Sequence, residues 1–173
     1  MKHSTQPTII AENKRPLTTS AVALTAIIID ENERILLLSS PTRNKQGEWQ
    51  LITGALEAAE AVLDGVMREA YEEAGLHVQI RPLGTVHSQT FHYDANVQYM
   101  IGIYYLLAYQ GGQIVPGDDM IGSTYRWWSI EELGTADIIY HPSTHLWMLK
   151  RAVELYRLWG KRPLAAETLQ GEL

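Results

Sequence analysis

Three carboxylates at helical spacing are the part of this chain best suited to chemistry. Glu69, Glu72 and Glu73 stand at i, i+3 and i+4, so on a helix they share one face. Like charges held that way repel, and a counter-ion would offset the repulsion. Hard divalent cations such as Mg²⁺ or Mn²⁺ take oxygen ligands, and a ridge of carboxylates offers them. The ordinary alternative is a solvated acidic face, and two neighbours argue against it. Arg68 adjoins Glu72 and can hold it in place. Gly65 lies one turn before Glu69, where a glycine costs about 1 kcal/mol relative to alanine; open space over the acidic ridge would account for it.

The helix that must carry these groups has its own signals. Leu63, Val66, Met67, Ala70 and Ala74 form one apolar stripe beside the carboxylates. Gly75 stands where a left-handed C-cap is expected. The start is weaker: Ala59-Glu60 offers no Ser, Thr or Asp cap, and Asp64 in the first turn compensates in part through the helix dipole.

Taken together, Gly54-x5-Glu60-x7-Arg68-Glu69-Ala70-x-Glu72-Glu73-x-Gly75-Leu76 resembles the complete signature box of the Nudix hydrolases. The resemblance implies an α/β (α+β) fold, an α/β/α sandwich with a mixed sheet. It also implies divalent-metal-dependent hydrolysis of a diphosphate linkage, with Mg²⁺ or Mn²⁺ held by Glu69, Glu72 and Glu73. The backbone carbonyl of Thr53 would join them, since Ile52-Thr53-Gly54 stands where the family usually has proline-glycine-glycine. The implied catalytic set is Glu69, Glu73, Arg68 and Glu60: Arg68 orients the ridge, and Glu60 reaches the metal through water. Glu69 is the first choice for general base. Asp118 or Asp119 is the second, although Met120, Ile121 and Gly122 occupy the positions nearer Trp127 where family members often carry a glutamate. The run Trp127-Trp128-Ser129-Ile130-Glu131-Glu132-Leu133 resembles the late strand and helix of the same fold.

Substrate is less tightly indicated. Trp49-Gln50-x-x-Thr53-Gly54-x-x-Glu57 is similar to the branch that includes dihydroneopterin triphosphate pyrophosphohydrolases. That similarity implies a nucleoside or pterin triphosphate cleaved to monophosphate and pyrophosphate. Dinucleoside polyphosphates, nucleotide sugars and ADP-ribose are alternatives, as is a non-catalytic nucleotide sensor. Arg43 and Lys45, in the polar loop before the box, are either solvated cations or contacts to substrate phosphates. Asp118 and Asp119 are likewise substrate-site carboxylates or a solvated loop. One or two of Phe91, Tyr93, Tyr99, Tyr125 and Trp127 could stack on a base. His141 and His145 are four apart, but Pro142 sets His141 at or before a helix start, which argues against a shared metal.

Composition narrows the remaining classes. The 173 residues are 46% hydrophobic, enough for one domain with a substantial core. A net charge of −6 argues against a general nucleic-acid binder. The absence of cysteine excludes disulfides, thiolate metal sites and a cysteine nucleophile, and fits a cytoplasmic protein. No leader-like apolar stretch opens the chain, and no apolar run is long enough to span a bilayer. A homodimer is compatible with all of this.

Along the chain, residues 1–19 read as an extended arm, 20–160 as the Nudix-like domain and 161–173 as a polar tail. Within the domain, 21–29 and 34–38 should form a hairpin. Residues 77–88 and 98–109 read as further strands, the second of them buried on both sides. A short capped helix is expected from Ser129, and a final amphipathic helix over 142–159.

Overall fold

The computed structural model describes residues 7–42, 47–140 and 144–160, and for Asp119 the backbone only. Two short strands, β1 (Thr8–Ile10) and β2 (Pro16–Thr18), pair as an antiparallel hairpin within the stretch expected to be an extended arm. Its turn closes through Lys14 N–H to the Ala11 carbonyl (2.8 Å) and Ala11 N–H to the Arg15 carbonyl (3.0 Å), with Lys14 at φ 64°.

The apolar run that follows is β3 (Ala21–Ile29), returning as β4 (Ile35–Ser39). Asp30 sets the turn between them. Its carboxylate accepts from the Asn32 and Arg34 backbone N–H groups (3.0 and 2.8 Å) and from Arg34 Nε (2.8 Å), the local side-chain bonding that favours aspartate in turns. Two short strands come next, β5 (Glu48–Trp49) and β6 (Ile52–Ala55). Then follow helix α1 (Val62–Ala74) and the long pair β7 (Val78–Phe91) and β8 (Met100–Gly112). After a 3₁₀ turn (Asp118–Met120) come β9 (Thr124–Trp128), α2 (Ile130–Thr135), β10 (Ile139–Tyr140) and α3 (Leu146–Trp159).

The main sheet runs β7-β8-β3-β4-β9, with β6 also on β3. It is mixed: β3 lies parallel to β8, while the β7–β8, β4–β9 and β3–β6 pairs are antiparallel. β7 is an edge strand, which is why it tolerates Pro82 and register shifts. β4 and β6 share one edge of β3, β4 at Ile29 and β6 over Ala23–Ala26. Beside them β5 and β10 form a small parallel pair.

Alternation along β3 builds two cores. Leu24, Ala26 and Ile28 join Leu107 and pack on Val66, Ala70 and Ala74 of α1. Ile27 and Ile29 join Leu106 and pack on Met148, Leu149, Ala152 and Val153 of α3 and Leu133 of α2. The expected sandwich of helices around a mixed sheet is the observed one. α2 opens with a full capping box between Ser129 and Glu132, as its sequence required. α3 begins at Leu146 rather than at Pro142, with His145 at its N-cap; His141 and Pro142 lie outside the described residues. Among the described residues no helix is long and apolar enough to cross a membrane.

Candidate active site

α1 carries all three carboxylates, and its ends are held unequally. As expected, no side chain caps its start: Ala61 is the N-cap and Asp64 the first-turn acid. Its last carbonyls are taken by the loop after β8, with Val115 N–H on Ala74 O (2.9 Å) and Gly117 N–H on Glu73 O (3.3 Å). Gly75 ends the helix with φ 109° and ψ 148°, so the expected left-handed cap is instead an extended positive-φ residue. The close pass of the next loop explains it: a Cβ there would meet the Val115 carbonyl at 2.6 Å.

On the carboxylate face, Glu73 and Glu69 are nearly buried, at 2% and 8% exposure, and Glu72 is more open. Glu73 accepts a hydrogen bond from the Thr53 backbone N–H at 3.2 Å. In an extended residue the N–H and C=O share one strand edge. Thr53 is opposite Thr25 of β3, yet its N–H turns away to Glu73. Its carbonyl therefore also faces outward, on the edge where the carboxylates lie. Gly54 comes closer still: a Cβ on it would fall 1.9 Å from the Glu69 carboxylate carbon. Glu69 occupies the space that glycine leaves.

Arg68 is the hub of the cluster. Its Nε and Nη2 take the two Glu60 oxygens (2.8 and 3.0 Å). Nη1 bridges Glu69 (2.7 Å) and Glu72 (3.0 Å), and Nη2 also reaches the Ala55 carbonyl (2.9 Å). Glu60 accepts one more bond, from Glu57 N–H at 2.9 Å. These bonds, Arg68 first, pull the Glu60 carboxyl down to about 2, and the Arg68 guanidinium is pushed above its ordinary range chiefly by Glu60. Both Glu60 oxygens are thus engaged by Arg68. Gly65 also differs from expectation. It does not border open space, since a Cβ there would lie 2.5 Å from Leu24 Cδ1 and 2.8 Å from Glu60 Oε2. The glycine lets α1 sit down on β3 and on the Glu60–Arg68 pair.

Whether a cation suits this ridge can be judged from its donors. Among the described residues, no three His, Asp or Glu side chains cluster closely enough to hold a metal ion in the arrangement seen; Arg68 Nη1 stands between Glu69 and Glu72 instead. Yet the single charge of Arg68 serves three carboxylates, and every candidate donor is oxygen. That set fits a hard divalent cation.

The other expected site residues divide. The turn that begins at Asp118 is docked on the last turn of α1 through Gly117, whose Cβ would meet Glu72 O at 2.7 Å. Asp118 itself is exposed, with φ 47°; the Asp119 side chain, Arg43 and Lys45 lie outside the described residues. On the opposite face of the sheet a cleft of about 730 Å³ adjoins Thr53, Gly54 and Ala55. Phe91, Tyr93 and Tyr104 line it, with Gln89 and His145. Of the proposed stacking aromatics it gathers Phe91 and Tyr93, while Trp127 packs on Tyr109 at 5.0 Å. Gln89 and Tyr104 were missed, because their pairing depends on the β7–β8 register.

The sequence profile of the NUDIX domain matches residues 19–152. The chain belongs to the NUDIX family. Two curated NUDIX-like relatives are an NAD-capped RNA hydrolase of Vibrio parahaemolyticus, 31% identical over 108 residues (62% of this chain, 38% of that protein), and an ADP-ribose pyrophosphatase of Methanocaldococcus jannaschii, 33% identical over 93 residues (53% of each). The chain thus spans well under two thirds of these relatives. A crystal structure of an ADP-ribose pyrophosphatase from Streptococcus suis superposes with a TM-score of 0.62 at 22% identity, over 80% of this chain and 93% of that one. That likeness establishes the NUDIX fold.

Proposed function

We propose that this NUDIX protein hydrolyses the diphosphate linkage of a nucleoside diphosphate derivative with the help of a divalent metal ion. The observation that carries the reading is the ridge of Glu69, Glu72 and Glu73 beside the outward Thr53 carbonyl. These four groups would hold Mg²⁺ or Mn²⁺, which would screen the phosphate charge and acidify water. Arg68, anchored by Glu60 and the Ala55 carbonyl, positions Glu69 and Glu72. Glu69 is our choice to take the proton from the attacking water at its carboxylate, with Asp118 or Asp119 in reserve. Arg43 and Lys45 are proposed to meet the substrate phosphates.

The box variant around Trp49–Glu57 supports a nucleoside or pterin triphosphate. The names of the relatives, an ADP-ribose pyrophosphatase and an NAD-capped RNA hydrolase, support a nucleoside diphosphate joined to a second group. A panel of both kinds, incubated with Mg²⁺ or Mn²⁺, separates them by product. Release of pyrophosphate supports the triphosphate, whereas two monophosphates support the nucleoside-diphosphate-X substrate. No turnover on any of them, with tight nucleotide binding, would overturn the hydrolase in favour of a sensor.

A further inference from the structure

We propose that the cleft beside β6 receives the uncharged planar heterocycle of the substrate, and that Gln89, fixed by Tyr104, discriminates among heterocycles. The proposal rests on the hydrolase reading for the phosphate end of the substrate only.

Charge decides what the cleft can hold. None of its described lining residues is Asp, Glu, Lys or Arg, and its titratable nitrogen groups are the imidazoles of His92 and His145, so it offers a phosphate or carboxylate no permanent counter-charge against desolvation. Its walls are aromatic, and its volume of about 730 Å³ falls in the range of small-molecule sites.

Sheet register gives the cleft its shape. Gln89, Gly102, Ala23 and Ala55 are cross-strand partners in succession on β7, β8, β3 and β6. Two small residues in the middle make a shallow floor, with Gln89 at one end and Ala55 at the other. At about 4.8 Å per strand the row spans roughly 14 Å, long enough for a nucleoside lying across it. Its Ala55 end is the residue whose carbonyl binds Arg68, so a ligand with its ring at Gln89 sends its phosphates toward the carboxylate ridge around β6. The ring of Phe91 lies over Gly102, where a Cβ would stand 3.2 Å from Phe91 Cε1. Phe91 thereby supplies an aromatic wall of the cleft.

Recognition falls to the amide. Gln89 Nε2 donates to the Tyr104 hydroxyl at 2.8 Å. Tyr104 is a nearly buried side chain whose phenol burial keeps protonated. Held there, Gln89 has a carbonyl oxygen and a second N–H for the edge of a heterocycle. A site built to hydrogen-bond a ligand rejects one that leaves its polar groups unpaired.

The test uses the full chain with Mg²⁺ and substrates differing only in their base, beside binding of the phosphate-free nucleosides followed by tryptophan fluorescence. The wild type should rank the bases, and Gln89→Leu should shrink that ranking about 10-fold, through KM for the preferred base. Phe91→Ala should weaken nucleoside binding by a similar factor. Should Gln89→Leu fold poorly, Tyr104→Phe removes the anchor and must give the same shrinkage. A ranking that survives these substitutions, or turnover indifferent to the base, overturns the proposal and leaves the hydrolase standing. Nucleosides bound with a Gln89-dependent preference but never hydrolysed as phosphates would uphold the cleft and overturn the hydrolase.

Discussion

Gly54 and Glu69 share one volume: a side chain on the first would put its Cβ 1.9 Å from the carboxylate of the second. The glycine is therefore part of what sets the position of that carboxylate.

Gly54→Ala follows directly. The colliding atoms are the far end of a flexible side chain, so the fold can yield by swinging Glu69 aside. Stability should change by less than about 1 kcal/mol, while displacement of the carboxylate by an ångström or more should cost on the order of 10²-fold in kcat. Chemical denaturation and steady-state kinetics on the same preparation check both halves. A large loss of stability would show that the backbone, not Glu69, gives way.

Gly65→Ala reverses the usual rule for a helix interior. Alanine ordinarily gains about 1 kcal/mol over glycine there. Here its Cβ would strike Leu24, which is fully buried, and Glu60, which Arg68 holds. Overpacking of this kind costs about 1–3 kcal/mol, so the variant should be less stable by roughly 1–2 kcal/mol, as measured by urea unfolding. A stabilised variant would contradict the close seating of α1.

Glu60 predicts an acid dependence of stability. Its carboxyl is lowered from 4.5 to about 2 in the folded protein, first by Arg68 and then by the Glu57 N–H. A depressed carboxylate contributes stability that is complete above its unfolded value and is lost as the pH falls through the folded one. The difference in Tm between wild type and Glu60→Gln should thus be constant above about pH 5 and narrow between pH 4.5 and 2. Melting curves across that range test it, and a gap that does not depend on pH would remove the ion pair as its cause.

Sequence and structure part company in instructive places. The ridge of Glu69, Glu72 and Glu73 was legible because helical spacing alone puts i, i+3 and i+4 on one face. The β3–β4 hairpin and the Ser129 capping box were legible for the same local reason. What could not be read depends on contacts distant in sequence. The purpose of Gly65 lies in Leu24, a strand away, and that of Gly75 in Val115. Glu60 finds Arg68 only because the loop before α1 folds back on it. Gln89 and Tyr104 meet across strands whose register shifts three times. The β1–β2 hairpin was missed because its strands are short and exposed, so they lack the alternation that marks a half-buried strand.

The central claim, that the buried carboxylates serve a metal-dependent hydrolysis, is most directly tested by comparing wild type with Glu69→Gln and Glu73→Gln. Mn²⁺ binding and Mg²⁺-dependent turnover of a nucleoside diphosphate derivative would be measured on the same folded proteins. Wild type should bind Mn²⁺ and turn over only with metal, and each variant should lose Mn²⁺ affinity and at least about 10²-fold in kcat. Variants that keep wild-type turnover, or a wild type indifferent to metal, would contradict the claim.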